Sequence, residues 1–279
     1  MQSPMKSIFY ILCLAVVLSS CSSTPKLAVP DKFKEVSERM HLKGVNNWVF
    51  NQKLSFGKYN TTKVKRGWSF ATEDQQYNLE QRLMKLYGID HFNTVNKERN
   101  KYRFTIEDDR SELQVFCQEK MRTEAKTIRT GTKILGDLSR TDRSEYHFTA
   151  AILPSKDSTQ SPWELVLTNT YDRSKDTARR LFDIPKTNFE GYVTNGKEVI
   201  TINPVRVASI ISAKGKESKF PVKILSGYEL RIDDGVIAII DKLDNNLWIY
   251  NELEEPLRLI VAATCSALLL RQMEGTREI

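Results

Sequence analysis

The chain has 279 residues, 40% of them hydrophobic, which is enough for one large domain or two small ones with a substantial core. Its 42 Lys and Arg residues exceed its 35 Asp and Glu residues, so the formal net charge is +7. In an exported chain, which the N-terminal residues predict, this balance does not indicate a nucleic-acid binder. Anionic lipid head groups or an acidic envelope polymer are the expected counter-charges, unless the excess serves solubility alone.

The N-terminal segment has the order of regions that is typical of a secretory signal peptide. One cation, Lys6, precedes an apolar run from Ile8 to Leu18, which is too short to span a bilayer as a permanent helix. The next residues complete the sequence Leu18-Ser19-Ser20-Cys21, which resembles the lipobox of bacterial lipoproteins. The resemblance implies cleavage before Cys21 and attachment of fatty-acyl chains such as palmitate to that cysteine.

An anchor with several acyl chains would be effectively permanent, because each buried methylene contributes roughly 0.8 kcal/mol. Ser22 follows the cysteine where some retained inner-membrane lipoproteins carry Asp, so the resemblance favours the cell outer membrane, with the domain facing the periplasm. The alternatives are an ordinary secretory signal with an incidental Cys21, or an uncleaved anchor. We therefore predict a signal peptide at 1–20, a tether at 21–31 and a single strand-rich domain at 32–279.

The first part of that domain mixes helical and extended patterns. A weak helical spacing follows Pro30, from Asp31 to about Leu42. A capping-box pattern of Thr72 with Gln75 predicts a second helix that ends at Gly88. Between these two helices the sequence predicts three strand-like stretches, at Trp48–Phe50, Leu54–Tyr59 and Lys63–Trp68.

From about Lys101 onward the dominant pattern is alternation of apolar and polar residues, which predicts successive antiparallel hairpins. The strongest turn signals are Asn195-Gly196 and Asp234-Gly235, both flanked by apolar runs. Further connections are predicted at Asp108-Asp109, at the loop from Pro154 to Pro162, and at Asn245-Asn246.

The last element is a hydrophobic helix from Leu257 to Leu270, preceded by Glu254-Glu255-Pro256. It is apolar nearly all round, and its length of about 21 Å falls short of the ~30 Å hydrocarbon core of a bilayer. A helix that is apolar on every side must be buried on every side. The predicted fold class is therefore α+β, with an antiparallel strand-rich domain packed on or curled around this helix.

The order of many hairpins followed by one hydrophobic helix, from Lys101 to Arg271, is similar to the tubby and phospholipid-scramblase type of barrel. That resemblance implies a last helix that threads the barrel axis. An ordinary α+β domain, with a sheet packed on one side of the helix, is an alternative, and so is an arrangement in two domains.

Two cysteines remain after Cys13 leaves with the leader and Cys21 accepts lipid. Cys117 and Cys265 form an even pair in an oxidising compartment, which makes a disulfide possible. Both lie in apolar surroundings, and buried free thiols are common there. The sequence leaves both states open.

The sequence shows no motif for metal, nucleotide or acyl-transfer chemistry, so we predict no cofactor and no metal site. A dyad of Cys117 with His147 is geometrically conceivable, but alternation places the thiol in the core and the imidazole toward solvent. The favoured function is non-enzymatic binding of a partner protein, a lipid or an envelope polymer. The alternative is an envelope hydrolase whose site is assembled from residues distant in sequence.

One segment is a candidate anionic-surface site, because cations there are interleaved with aromatic residues. Cations can contact phosphates while aromatic rings lie at an interface, although a solvated strand with its aromatic residues in the core would have the same pattern. The five candidate cations are Lys53, Lys58, Lys63, Lys65 and Arg66.

Overall fold

The computed structural model describes residues 27, 29–45, 51–86, 90–129, 138–154, 161–176, 187–211 and 217–273. The predicted signal peptide, Cys21 and the predicted strand Trp48–Phe50 lie outside these ranges. The predictions that concern them therefore remain predictions.

Most of the described chain forms one antiparallel sheet of long and short strands. Its 14 strands are β1 (Ser37–His41), β2 (Ser55–Phe56), β3 (Tyr59–Thr61), β4 (Lys65–Arg66), β5 (Phe70–Gln76), β6 (Asp90–Glu107), β7 (Glu112–Arg129), β8 (Leu138–Pro154), β9 (Trp163–Asp172), β10 (Thr187–Thr194), β11 (Val199–Ile211), β12 (Glu217–Ile232), β13 (Gly235–Asp241) and β14 (Asn246–Tyr250). The α-helices of the described residues are α1 (Asp31–Glu35), α2 (Leu79–Leu86) and α3 (Glu255–Leu269).

The sheet curls into a nearly closed ring of twelve strands. Around the ring the order is β1, β14, β13, β12, β11, β10, β9, β8, β7, β6, β3 and β2, while β4 and β5 pair further along β6. The ends of this order meet where Lys43 pairs with Ser55, through backbone N–H···O bonds of 2.9 and 3.1 Å. Curling leaves an inner face that a single helix can fill.

Helix α3 fills that inner face. Ten consecutive residues, from Leu259 to Leu268, are buried, so the helix is enclosed on every side. They share one hydrophobic core with inward-facing residues of nearly every strand in the ring. The predicted α+β class, with strands curled around a buried C-terminal helix, is confirmed. Among the described helices, none is long and apolar enough to cross a membrane.

The C-terminal end of α3 is held by polar side chains inside the ring. The Tyr102 hydroxyl donates to the carbonyl of Ala267 at 2.7 Å, and the Arg66 guanidinium donates to that of Leu270 at 3.2 Å. The carboxylate of Glu119, which is fully buried, accepts the backbone N–H of Met273 at 3.0 Å. The first two bonds satisfy carbonyls that a helix end leaves without intrahelical partners, and the third satisfies the N–H of a residue just beyond the helix.

Both early helices are present, but their predicted bounds need correction. The first helix ends at Glu35, and the following residues form β1, because Ser37–His41 pairs with β14. Thr72 and Gln75 lie in β5, where pairing with β6 outweighs their local capping pattern. The capping box instead joins Asn78 and Gln81, whose side chains accept each other's backbone N–H at 2.9 and 2.7 Å.

The predicted hairpins are confirmed, with one shift of a turn. Asn195-Gly196 lies between β10 and β11, and Gly196 has a φ of +87°. Between β12 and β13 the turn residues are Asp233 and Asp234, both with positive φ, rather than Asp234-Gly235. Gly235 already pairs with Ile232 in the ladder.

A short N-terminal strap packs on the outside of the ring. We call Leu27 and residues 29–35 the strap; its apolar side chains Leu27, Val29 and Phe33 are buried against Ile239. The Leu27 N–H donates to the carboxylate of Asp241, which also accepts from two backbone N–H groups of its own turn. Leu27 and Val29 belong to the predicted tether at 21–31, yet here they are part of the packed domain.

Candidate functional site

The outward side of β6 carries a row of cations. Lys97, Arg99, Lys101 and Arg103 are all exposed, whereas Asn100 and Tyr102 between them are buried. Successive strand residues point to opposite faces, so every second residue shares one face. The row therefore arises directly from the sequence Lys97 to Arg103, although strand pairing is needed to show what surrounds it.

Strand pairing brings further cations opposite this row. Lys65 on β4 is the register partner of Arg103, and Lys120 on β7 is the partner of Arg99. Side chains of directly opposed residues have Cβ atoms about 5 Å apart, and like charges there are destabilising. We call the exposed cations Lys65, Lys97, Arg99, Lys101, Arg103 and Lys120 the basic face.

The carboxylates that the structure describes do not neutralise the basic face. Among the described residues, its six cations form no ion pair. Arg122 shows the contrast: it lies opposite Lys97, but it has its own partner in Glu124 at 2.7 Å. Positive charge is thus concentrated on this surface at some cost to stability, which is a common property of binding sites.

Two large aromatic side chains flank the basic face. Trp68 is 86% exposed and Phe70 is 64% exposed. Phe70 is the register partner of Arg99, and Gly67, next to Trp68, donates its N–H to the carbonyl of Lys101 at 2.7 Å. Side chains of this size are seldom left so exposed without a partner. The aromatic rings and the cations can therefore contact the same ligand.

A groove of about 940 Å³ begins at the basic face and crosses the outer surface of β7 to β10. Lys65, Lys101 and Arg103 form its cationic end, and Glu164 supplies an acidic group farther along. The remaining lining includes apolar and amide side chains, among them Phe116, Gln118, Ala151 and Asn195. The surface can hold an anionic ligand that also has apolar parts.

The five cations predicted from the sequence do not form one site. Lys53 and Lys63 are exposed, and only Lys65 belongs to the basic face. Lys58 pairs with Glu255 at the start of α3, at 2.5 Å.

Arg66 was predicted to lie at the surface, but its position in the structure corrects that prediction. Its guanidinium turns inward, lies 5.1 Å from the centroid of the Tyr102 ring, and donates to Gln52 at 2.8 Å as well as to the end of α3. Arg66 therefore has a structural role. Alternation within 63–68 puts Arg66 on the same face as the apolar Val64, which was the available sign that this cation faces the core.

Of the two states that the sequence left open for the candidate disulfide pair, the structure has the free thiols. Cys117 and Cys265 are both free and both buried, the first on β7 and the second on α3. Burial raises the pKa of both thiols, so they are protonated at neutral pH and poor nucleophiles. The expected separation from His147 is confirmed, because that imidazole is exposed on the outer face of β8.

No group of His, Cys, Asp and Glu side chains within the described ranges could hold a metal ion. The sequence analysis missed most of the basic face, because it counted the alternation only from Lys101 and could not place β4 and β7 beside β6. The repeated cations at 97, 99, 101 and 103 were the available signal. No protein-family model, no curated protein and no solved structure matches this chain.

Proposed function

We propose that this protein is a lipid-anchored component of the bacterial cell envelope whose domain binds an anionic envelope ligand without catalysis. The observation that carries the proposal is the basic face, with six exposed cations, no ion pairs among the described residues, and like charges in register across strands. Such a surface attracts polyanions and anionic head groups, and it also accelerates their association.

The state of the nucleophiles supports binding rather than hydrolysis. The described thiols are buried, and burial raises their pKa. The polar cluster inside the ring, with Tyr102, Glu119 and Arg66, is committed to the end of α3. The groove, by contrast, is open and lined with groups that recognise charge and shape.

The lipid anchor rests on the lipobox-like residues Leu18-Ser19-Ser20-Cys21. Its contribution would be presentation: an anchored domain is concentrated at one surface, which raises the effective concentration of the basic face for ligands there. The outer membrane and a periplasmic position follow from Ser22 by the same resemblance.

The likeness to the tubby and phospholipid-scramblase type of barrel also remains a proposal. The ring of twelve strands around one enclosed C-terminal helix supports it. Since the likeness is one of architecture, it adds nothing on the ligand.

Intact-mass measurement of the protein isolated from membranes tests the anchor. We expect a chain that begins at Cys21 and carries the mass of diacylglycerol and one further acyl chain, and we expect Cys21→Ser to release the protein into the soluble fraction. A retained leader or an unmodified start would disprove this part.

Titration with vesicles containing phosphatidylglycerol, and separately with a soluble polyanion, tests the basic face. Each cation near an anionic surface contributes about 1 kcal/mol, so Arg99→Gln with Arg103→Gln should weaken binding about 30-fold. The matched control, Lys32→Gln with Lys53→Gln, removes two exposed cations outside the basic face and should leave affinity nearly unchanged. Equal losses in both variants would contradict a specific basic face.

A further inference from the structure

The strap and the basic face lie on opposite sides of the ring. The strap packs on strands β11, β13 and β14, where its neighbours are Val205, Ile239 and Trp248. In the ring order β13 is seven strands from β6 in one direction and five in the other, which is about half of the twelve. A segment that enters at the strap therefore approaches the domain from the side away from the basic face.

The chain between the lipid and the strap is short. Five residues lie between Cys21 and Leu27, so even a fully extended tether, at about 3.3–3.6 Å for each of its six steps, reaches only about 20 Å. Twelve strands at about 4.8 Å spacing give a ring about 20 Å across between backbones, and outward side chains widen it to about 30 Å. With the acyl chains inserted, the tether is too short to pass the domain and let the basic face lie flat on the same bilayer.

We propose that the basic face is directed away from the anchoring membrane and binds a linear anionic polymer of the envelope. This inference rests on the proposed function, because it requires the acyl chains to be attached at Cys21. It deepens that function by selecting one ligand class, a polymer with repeated carboxylate or phosphodiester groups, over the head groups of the anchoring bilayer.

The arrangement of the cations fits an extended ligand. Lys97, Arg99, Lys101 and Arg103 stand at every second position of one strand, so neighbours are about 6.6 Å apart and the row is about 20 Å long. A polymer with regularly spaced charges can follow such a row, whereas a single small anion would meet only one or two cations.

The surroundings of the row fit a polymer of sugar units. Trp68 and Phe70 present exposed rings beside it, and the apolar faces of sugar rings pack against aromatic rings. The groove continues the surface across β7 to β10 and gives room for further units of the chain.

The test uses the acylated full-length protein in phosphatidylcholine vesicles and a fluorescent alginate, a linear polyuronate. Vesicles with the protein should capture the alginate, and Arg99→Gln with Arg103→Gln should lower the affinity about tenfold or more. The control Lys32→Gln with Lys53→Gln should capture alginate as the wild type does. Failure of the acylated wild type to capture alginate would overturn the choice of ligand.

The orientation of the basic face is measured with the same acylated protein in vesicles that contain phosphatidylglycerol and brominated phospholipids. Bromine quenches tryptophan fluorescence only within the bilayer. The emission of Trp68, obtained as the difference between the wild type and Trp68→Phe, should therefore be unquenched. Quenching of Trp68 would show that the basic face lies on its own membrane and would overturn the inference. An unmodified Cys21 would instead disprove the anchor, and alginate binding by the soluble protein would still be measurable.

Discussion

The long strands β6, β7 and β8 each have two regions that follow different rules. In the half that surrounds α3, burial alternates strictly, so that Tyr102, Phe104 and Ile106 are buried and residues between them are more exposed. In the other half, from Asp90 to Arg99, the alternation is irregular and charged residues are frequent. One half is stabilised by packing, whereas the other extends the sheet and carries Lys97, Arg99 and Lys120 of the basic face. The basic face continues along the outer side of the packed half, where Lys101 and Arg103 alternate with buried residues, so these strands stabilise the fold with one face and present charge with the other.

The largest expected effect is at the packed half. Phe148 on β8 is fully buried, stacks on Tyr102 at 6.4 Å between ring centroids, and lies under the guanidinium of Arg271 at 5.4 Å. Phe148→Ala should lower the free energy of unfolding by about 3–5 kcal/mol in urea denaturation, because it removes buried surface and leaves a cavity. The neighbouring control His147→Ala faces outward and should change it by less than about 0.5 kcal/mol. Equal effects would contradict the assignment of inner and outer faces.

The hydrogen bond that Tyr102 makes to α3 gives the next effect. Tyr102→Phe keeps the ring but removes the hydroxyl that donates to the buried carbonyl of Ala267. Leaving a buried acceptor without a partner costs about 1–3 kcal/mol, which urea denaturation can measure. Tyr192→Phe, at a half-exposed ring on the outer face, is the control and should be nearly neutral. A neutral Tyr102→Phe would mean that the helix end is satisfied in another way.

The two halves also differ in how well they can be predicted from sequence. Alternation at 102–106 and at 113–117 predicted the hairpin of β6 and β7, since burial of one face enforces that pattern. The extensions of both strands were missed, because their side chains are mostly polar and the buried apolar residues of the β6 extension, Phe92 and Val95, do not alternate. The basic face was missed for the same reason, as its charges converge only through the register of β4, β6 and β7.

Local patterns failed where long-range contacts decide. Thr72 and Gln75 have a helix-capping spacing, yet the seven residues of β5 pair with β6. Arg66 directly follows Lys65 in a basic stretch, yet it turns to the end of α3, which is more than 200 residues away in sequence. The enclosed helix was predictable for the opposite reason, since its apolar residues on every side allow only one environment.

The buried thiols of the packed half should make stability depend on alkaline pH. Burial raises the pKa of Cys117 and Cys265, so the folded protein keeps protons that the unfolded chain releases above about pH 8.5. The folded state therefore binds more protons, and stability falls as pH rises. Each thiol contributes a loss of about 1.4 kcal/mol per pH unit above the unfolded pKa.

Urea denaturation between about pH 8 and about pH 10 measures this loss of stability. Cys265→Ala should reduce the slope of the unfolding free energy against pH by the contribution of one thiol, whatever its effect on stability at neutral pH. The control Thr149→Ala, on the exposed outer face of β8, should have the wild-type slope. Identical slopes for wild type and Cys265→Ala would show that this thiol is free to ionise in the folded protein.

The smallest effect, and the sharpest test of the difference between the halves, is at the basic face. Arg99 lies opposite Lys120, so Arg99→Glu replaces a like-charge pair by an opposite-charge pair. We expect this variant to be more stable than the wild type by about 0.2–1 kcal/mol at low salt, and the gain should shrink as salt screens the charges. The same variant should bind polyanions more weakly. Lys53 is an exposed cation outside the basic face, so Lys53→Glu should show neither change. A lower stability of Arg99→Glu at low salt would mean that the Arg99 cation stabilises the folded state. The concentration of cations on one surface would then need no ligand to explain it.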